Sequence, residues 1–364
     1  MKIYIAHENP YNAGNPYIYT LMDCISRMHP EVEWGWGVSI FWSEKIFTYD
    51  IIHFQWPQAF MADDNKEHSL DTLSQRLKQI KQRGIKVVST CHDLEPHYEQ
   101  YAEYADSFKI VYEQSDVIFH LGEYSKELFS NRYPNVKHFI LPHHLFNTVY
   151  THFPSVEEAK DKLHLNKKYT YILCLGMFRS NEERTFLLST AKKFSREKVA
   201  FLAPAFMFVP KRRLLKFLPT KEQLIRLYYQ FRYKIFCTGK TWVPIPDEQI
   251  PYYYAASKIA FVHRLKILNS GNAVLPMLFK KNIVGPDIGN VGPLLKYWGY
   301  PTFDVNNPSS AQDAVKKGLI LATNEINSHK YIEQMKEYST QTISEKLYSY
   351  YLVFCKKRNK ALPE

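Results

Sequence analysis

The residues with the most chemistry for their spacing are Thr90-Cys91-His92-Asp93-Leu94-Glu95-Pro96-His97, where two imidazoles and two carboxylates fall within six positions. An imidazole can take a proton or hydrogen-bond a hydroxyl near neutral pH, and a neighbouring carboxylate can orient it or act as the base. His92 and Asp93 are therefore the first catalytic candidates, with Glu123, in Gly122-Glu123-Tyr124-Ser125, as a second general base. A structural core histidine is the plain alternative for each ring. His53, His92 and His97 could suggest a metal, but their spacing matches no helical His-x3-His pattern. Trp56 is either a stacking platform for a sugar or a core side chain.

A second group has the makings of a phosphate site. His263-Arg264-Leu265-Lys266-Ile267-Leu268-Asn269-Ser270-Gly271 precedes the apolar run Ala273 to Phe279. Asn269 or Ser270 as an N-cap, then Gly271, predicts a helix whose free N–H groups face a phosphate, with Arg264 and Lys266 adding full charges. An ordinary Ser-capped helix beside solvated bases is the alternative. Arg179 follows Gly176 at the end of an apolar run, placed either to reach a phosphate or to pair with Glu182 or Glu183.

The elements that must hold these residues alternate. Lys2 to Ala6, Asp50 to Phe54, Lys86 to Ser89, Val117 to His120 and His138 to Leu141 predict strands, with helical patterns at Tyr17 to Met28, Leu70 to Arg83 and Ser125 to Phe129. After a polar stretch, His144 to Lys168, strands resume at Tyr171 to Leu175, Val199 to Ala203, Lys234 to Cys237, Ile259 to Val262 and Ile283 to Val284. This reads as βαβ units and parallel sheets. It predicts an α/β protein with two Rossmann-like doubly wound domains facing across a cleft, residues 1–160 and 161–330. The single helical pattern Tyr331 to Lys357, within 331–364, is expected to pack back on the first domain.

Absences narrow the function. No Gly-x-Gly-x-x-Gly follows the first strand and no Gly-x4-Gly-Lys-Ser/Thr occurs, which removes the usual signatures of dinucleotide oxidoreductases and P-loop NTPases. The five cysteines are odd in number and contain no Cys-x-x-Cys, so a reducing cytoplasm is expected rather than a disulfide or zinc framework. The longest apolar run, Val199 to Val209, holds Pro204 and is far short of the roughly 20 residues that span a bilayer.

Several motifs, in their shared order, resemble the family 4-like GT-B glycosyltransferases and their xanthan-type glucuronosyltransferase branch. Asn15-Pro16-Tyr17 resembles the loop after the first strand. Asp50-Ile51-Ile52-His53-Phe54-Gln55-Trp56-Pro57 resembles an acceptor-side motif in which Gln55 replaces a second His. Thr90 to His97, Pro142-His143, Gly176-Met177-Phe178-Arg179, Ile245-Pro246-Asp247-Glu248, and Leu268-Asn269-Ser270-Gly271 with Pro286-Asp287-Ile288-Gly289 follow in turn. The resemblance covers residues 1 to about 320. Glu182 stands where members commonly have Lys, and Leu275 where the second donor Glu falls.

That resemblance implies metal-independent transfer of a hexosyl group from a nucleoside-diphosphate sugar, with no cofactor. Arg179, Arg264, Lys266, Asn269, Ser270 and Gly271 would bind the donor, Asn15, His53, Trp56 and His97 the acceptor, and His92, Asp93 or Glu123 would serve the reacting sugar. The acceptor would be a saccharide or lipid-linked saccharide in bacterial surface polysaccharide synthesis. The alternatives are a UDP-sugar epimerase of the same architecture and a non-enzymatic RNA- or membrane-binding protein.

Charge adds one expectation. Of the net +11, the window Pro210 to Lys240 holds nine basic residues and one acid, hence +8. Its large apolar residues include Leu224, Leu227, Tyr228, Phe231 and Ile235, a stripe at helical spacing that is either core or, with the cations, a contact for an anionic membrane. The protein is accordingly expected to sit peripherally on the inner face of the membrane, with no nucleic acid partner.

Overall fold

The computed structural model describes residues 1–12, 15–57, 69–95, 104–206, 221–238, 245–324 and 328–356. His97, the basic run Lys211 to Lys216, and Lys240 lie outside the described residues. The chain divides into two compact units, Met1–Val149 with Lys336–Glu364, and Tyr150–Met335.

In the first unit, strands β1 (Lys2–Ala6), β2 (Glu33–Gly35), β3 (Ile51–Phe54), β4 (Lys86–Cys91), β5 (Val117–His120) and β6 (Lys137–Ile140) form one sheet in the order β2-β1-β3-β4-β5-β6. Every pairing is parallel. Every residue of β3 and β5 is buried. A parallel sheet has helices on both faces, so its strands are apolar runs rather than alternating ones, and the two imidazoles His53 and His120 sit inside such runs.

The helix Tyr17–Met28 covers the sheet with Tyr17, Ile18, Leu21, Met22 and Ile25, the spacing of one helical face. The helix Leu70–Gln82 starts where the Ser69 hydroxyl accepts the Thr72 N–H, and buries Leu73, Leu77 and Ile80. The helix Thr340–Lys356 packs against Tyr17–Met28. There Tyr348 stacks on His29 at 3.5 Å and donates to Glu31 at 2.6 Å. Burial of an apolar side chain contributes about 1.5 to 3 kcal/mol, so Leu347, Tyr351 and Phe354 tie this helix to the unit.

The single helical pattern expected over Tyr331 to Lys357 is two helices, Ser328–Tyr338 and Thr340–Lys356. Ser339 makes the break. Its hydroxyl accepts the Thr342 N–H and its carbonyl the Ile343 N–H, which is an N-cap and a fresh start.

The second unit repeats the design with β7 (Thr170–Leu173), β8 (Val199–Leu202), β9 (Ile235–Phe236), β10 (Ser257–Phe261), β11 (Asn282–Pro286) and β12 (Thr302–Phe303), in the order β12-β11-β10-β7-β8-β9, all parallel. Ile172, Phe186, Leu187, Phe201, Phe261 and Val284 anchor its core.

The helix Lys221–Tyr233 corrects the core reading of the apolar stripe. Ile225, Tyr229 and Tyr233 are the side chains packed on the core. Leu224, Leu227, Tyr228 and Phe231 point the other way and are exposed, while Ile235 has left the helix and is buried in β9. Among the described residues no helix is long and apolar enough to cross a membrane.

Candidate functional site

Open parallel sheets bind ligands beyond the carboxyl ends of their strands, at the place where strand order reverses. In the second unit that place lies between β7 and β10, whose following loops carry Gly176 to Arg179 and Arg264 to Gly271. The two loops meet. Gly176 has φ +97°, a left-handed conformation, and a Cβ there would lie 2.9 Å from Asn272 Nδ2 and 3.6 Å from Arg264 Nη2. Asn272 Nδ2 in turn donates to the Leu175 carbonyl at 2.8 Å.

Glu183 organises the charge in this region. It is buried near the start of the helix Asn181–Lys192, where the Ser180 hydroxyl accepts its N–H at 3.2 Å. Its Oε2 accepts both the Arg179 backbone N–H at 2.7 Å and Arg264 Nη1 at 2.8 Å. Arg264 is therefore a buried partner in an ion pair, not a solvated base. Arg184 holds the same loop by donating to the carbonyls of Phe178, Ser180 and Phe206. His263 stacks on Phe178 at 3.9 Å and 17°. Burial first, then the neighbouring Arg264, Arg179 and Arg184, drive its pKa well below the usual value, so the ring is neutral.

Arg179 and Lys266 are exposed at residue level. The helix expected from Ser270 is not formed. A 3-10 turn, Gly271–Ala273, is followed only by the four-residue helix Leu275–Leu278, and the Ser270 side chain makes no cap bond. Pro276 lacks an N–H and the turn is tight, so no long aligned array of N–H groups arises. Asn269 is engaged in holding the loop, its Oδ1 accepting from Asn290 Nδ2 at 2.7 Å, while Asn290 N–H reaches the Leu268 carbonyl. Gly289, at φ +55°, permits this approach, since a Cβ would lie 2.5 Å from the Ile267 oxygen.

In the first unit strand order reverses between β1 and β3. β3 leads into Gln55-Trp56, and β4 leads into His92-Asp93. The pairing of His53 with Val88 and Phe54 with Ser89 brings the two strand ends side by side. Gln55 then links two rings. Its Oε1 lies 2.8 Å from His92 Nε2 and its Nε2 lies 3.2 Å from His53 Nε2. With the amide so oriented, His92 carries its proton on Nε2 and keeps a lone pair on Nδ1, while His53 carries its proton on Nδ1 and gives it to Tyr351 Oη at 2.5 Å. Thr90 Oγ1 lies 2.8 Å from His53 Nε2. Burial lowers His53 to about 3, so it stays neutral.

Rings fix His92 as firmly as hydrogen bonds do. Trp56 stacks on it at 4.5 Å and 19°, and Tyr17 meets it edge-on at 4.8 Å. Tyr17 also packs against His143 and His144. Asp93 is buried beside His92 in the chain, and its carbonyl accepts from Tyr112 Oη at 2.9 Å.

Two candidates have mainly local partners. Asn15 is exposed, and its Oδ1 accepts the Tyr17 N–H, an Asx turn ahead of the helix. Glu123 is an exposed acid in the first turn of the helix Glu123–Arg132 and pairs with Lys126 at 3.3 Å. Sequence reasoning passed over Arg184, Asn272 and Tyr351, named Tyr17 only as part of a loop motif, and gave Glu183 only as a surface partner for Arg179. Ser180-x-x-Glu183 is a capping-box spacing and was visible, but its burial was not.

No family model and no curated protein matches this chain in sequence. Solved structures do match in shape. Sucrose-phosphate synthase from Thermosynechococcus elongatus superposes with a TM-score of 0.68 at 13% identity, over 97% of this chain and 98% of that one. A glycosyltransferase from Rickettsia africae gives 0.66 at 11% identity, over 99% of both chains. The chain has the GT-B fold. Among other GT-B structures, Anabaena HepE in complex with UDP-glucose gives 0.64 at 12% identity, over 97% of this chain and 100% of that one.

Proposed function

We propose that this GT-B protein transfers a hexosyl group from a nucleoside-diphosphate sugar to a saccharide or lipid-linked saccharide, in bacterial surface polysaccharide synthesis. The observation that carries the reading is the meeting of the β7 and β10 loops at the reversal point of the second sheet, where Gly176, Asn272, Arg264 and Arg179 converge around Glu183. HepE, of the same fold, is described with UDP-glucose bound, which supports a nucleotide-sugar donor.

In this mechanism Arg179 and Lys266 supply positive charge to the leaving diphosphate, and Arg264, fixed by Glu183, shapes the pocket floor. Positioned charge in a site that excludes water lowers the barrier where the leaving group becomes anionic. His92, its Nδ1 lone pair kept by Gln55, serves the reacting sugar, with Asp93 beside it. Trp56, Asn15, His53 and His97 belong to the acceptor side. The reaction calls for no metal, so activity should persist through chelation.

The deciding experiment is a thermal-shift panel of UDP, GDP, ADP and their sugars. A ligand at 100 times its dissociation constant adds roughly 2.7 kcal/mol of stability. Stabilisation by one nucleotide, with sugar release dependent on an added acceptor, supports transfer. Conversion of the donor without acceptor would make the protein an epimerase, and no stabilisation by any nucleotide would end the enzymatic reading.

A further inference from the structure

The exposed side of the helix Lys221–Tyr233 borders a second feature. Leu224, Leu227, Tyr228 and Phe231 lie on one helical face, and Phe231 is 74% exposed. From Leu224 to Phe231 the stripe runs about 10 Å at 1.5 Å per residue. One helical turn beyond Tyr228 stands Arg232, which lines a cleft of about 800 Å³ together with Lys192, Lys193 and Arg196 from the end of the helix Asn181–Lys192. Glu197 is the one acid in that lining, so four cations face one carboxylate.

We propose that this surface of the second unit docks on an anionic phospholipid bilayer, with Phe231, Leu227, Leu224 and Tyr228 in the acyl–headgroup boundary and the Lys192, Lys193, Arg196 and Arg232 cleft on lipid phosphates. An apolar stripe flanked by Lys and Arg on the side facing solvent is the composition of helices that lie in the membrane interface. The charge chooses among occupants. A second copy of this chain would bring two surplus-positive clefts together, which repels. RNA would use the cations but gains little from Leu224 and Leu227, since bases need flat rings to stack on. An anionic bilayer satisfies the cations and the aliphatic side chains at once.

This surface is separate from the proposed sugar site, so it is tested without any nucleotide. The full chain is sedimented with vesicles of phosphatidylglycerol and phosphatidylcholine, and with vesicles of phosphatidylcholine alone. Binding to the first that weakens with added salt, and little binding to the second, are expected. Arg196→Gln with Arg232→Gln should lower partitioning about thirtyfold, from two cations at the usual worth near a charged surface. Leu227→Ser with Phe231→Ser should lower it by about tenfold or more. Because these positions are exposed, thermal melts should match the parent.

Phe231→Trp provides a reading that does not depend on loss of binding. Its added emission should be that of a water-exposed indole in buffer and should shift to the blue on anionic vesicles. Blue emission in buffer alone would mean that the chain itself or a second copy covers the face, and would overturn the proposal. So would emission that anionic vesicles leave unchanged, or a serine double variant that sediments like the parent.

Discussion

Glu183 and Arg264 are 81 residues apart in sequence and 2.8 Å apart in space, both almost fully buried. The same carboxylate oxygen holds the Arg179 N–H, so one acid joins the loop after β7 to the loop after β10. A base that reads from sequence as a phosphate ligand is thus a structural member of the loops it joins.

Removing one member of a buried ion pair strands the other, at a cost of about 3 to 5 kcal/mol. Glu183→Ala and Arg264→Ala should each lower the stability measured by urea unfolding by that much, and the double variant should lose less than the sum. Full additivity would show that the two side chains do not depend on each other.

Arg179→Ala and Lys266→Ala should behave differently. Both residues are exposed, so stability should stay within about 0.5 kcal/mol of the parent. Nucleoside-diphosphate affinity should fall by about 1.5 to 3 kcal/mol for each charge-assisted hydrogen bond removed. Titration calorimetry that finds parental affinity in both variants would take these cations out of the donor site.

Gln55→Leu removes the acceptor that keeps the His92 proton on Nε2. The expected outcome is a mixture of His92 tautomers in ¹⁵N NMR spectra and a fall in kcat larger than any change in donor KM. An unchanged tautomer would show that Gln55 does not set the position of the His92 proton.

Acid should unfold the first unit early. Burial lowers His53 and His120 to about 3 and His143 to about 4, and takes His144 well down too. In the unfolded chain these rings titrate near 6.5, so the unfolded state takes up protons first as pH falls. Stability is full above about pH 6.5 and is lost on the way down, to about pH 4 for His143 and about pH 3 for His53 and His120, by up to about 1.4 kcal/mol per pH unit for each ring. A melting temperature that stays level across that window would mean the folded state admits protons to these rings.

Gly289→Ala should cost more than Gly299→Ala. Both glycines have positive φ, but a Cβ at Gly289 meets the Ile267 and Leu268 carbonyls at 2.5 and 2.7 Å, whereas nothing lies within 4 Å at Gly299. The second measures backbone strain alone, about 1 kcal/mol, and the excess at Gly289 measures how tightly the loop after β11 packs on the loop after β10. Equal melting temperatures would show that the loops pack loosely there.

The longer strands and the helix Tyr17–Met28 were legible because each is a run of apolar residues long enough to show its period. β2 and β12 were not. Glu33-Trp34-Gly35 and Thr302-Phe303 are edge pieces of three and two residues, set by pairing with β1 and β11 rather than by local pattern. The outward face of Lys221–Tyr233 was illegible for another reason: Leu224, Tyr228 and Ile225, Tyr229, Tyr233 have the same spacing, so period alone cannot say which set meets the core. At the site, the order of motifs brought His53 and His92 into consideration. The Gln55 link between them, and the burial of Glu183, come from strand register and loop packing that no single segment encodes.

The first unit is assembled from two stretches that flank the second in sequence, whereas the second is one continuous stretch. On the ribosome this imposes an order. Residues 150–335 can close their core while the tail is still being made, but the sheet of β1 to β6 must wait for the helix Thr340–Lys356, which brings Tyr351 to His53 and Tyr350 and Phe354 against Phe119 and Phe139. Until then an apolar sheet face and a buried imidazole stand open to water. Thr340–Lys356 is made after the second unit yet completes the first, so a chain cut short between the two has a finished second unit and an unfinished first.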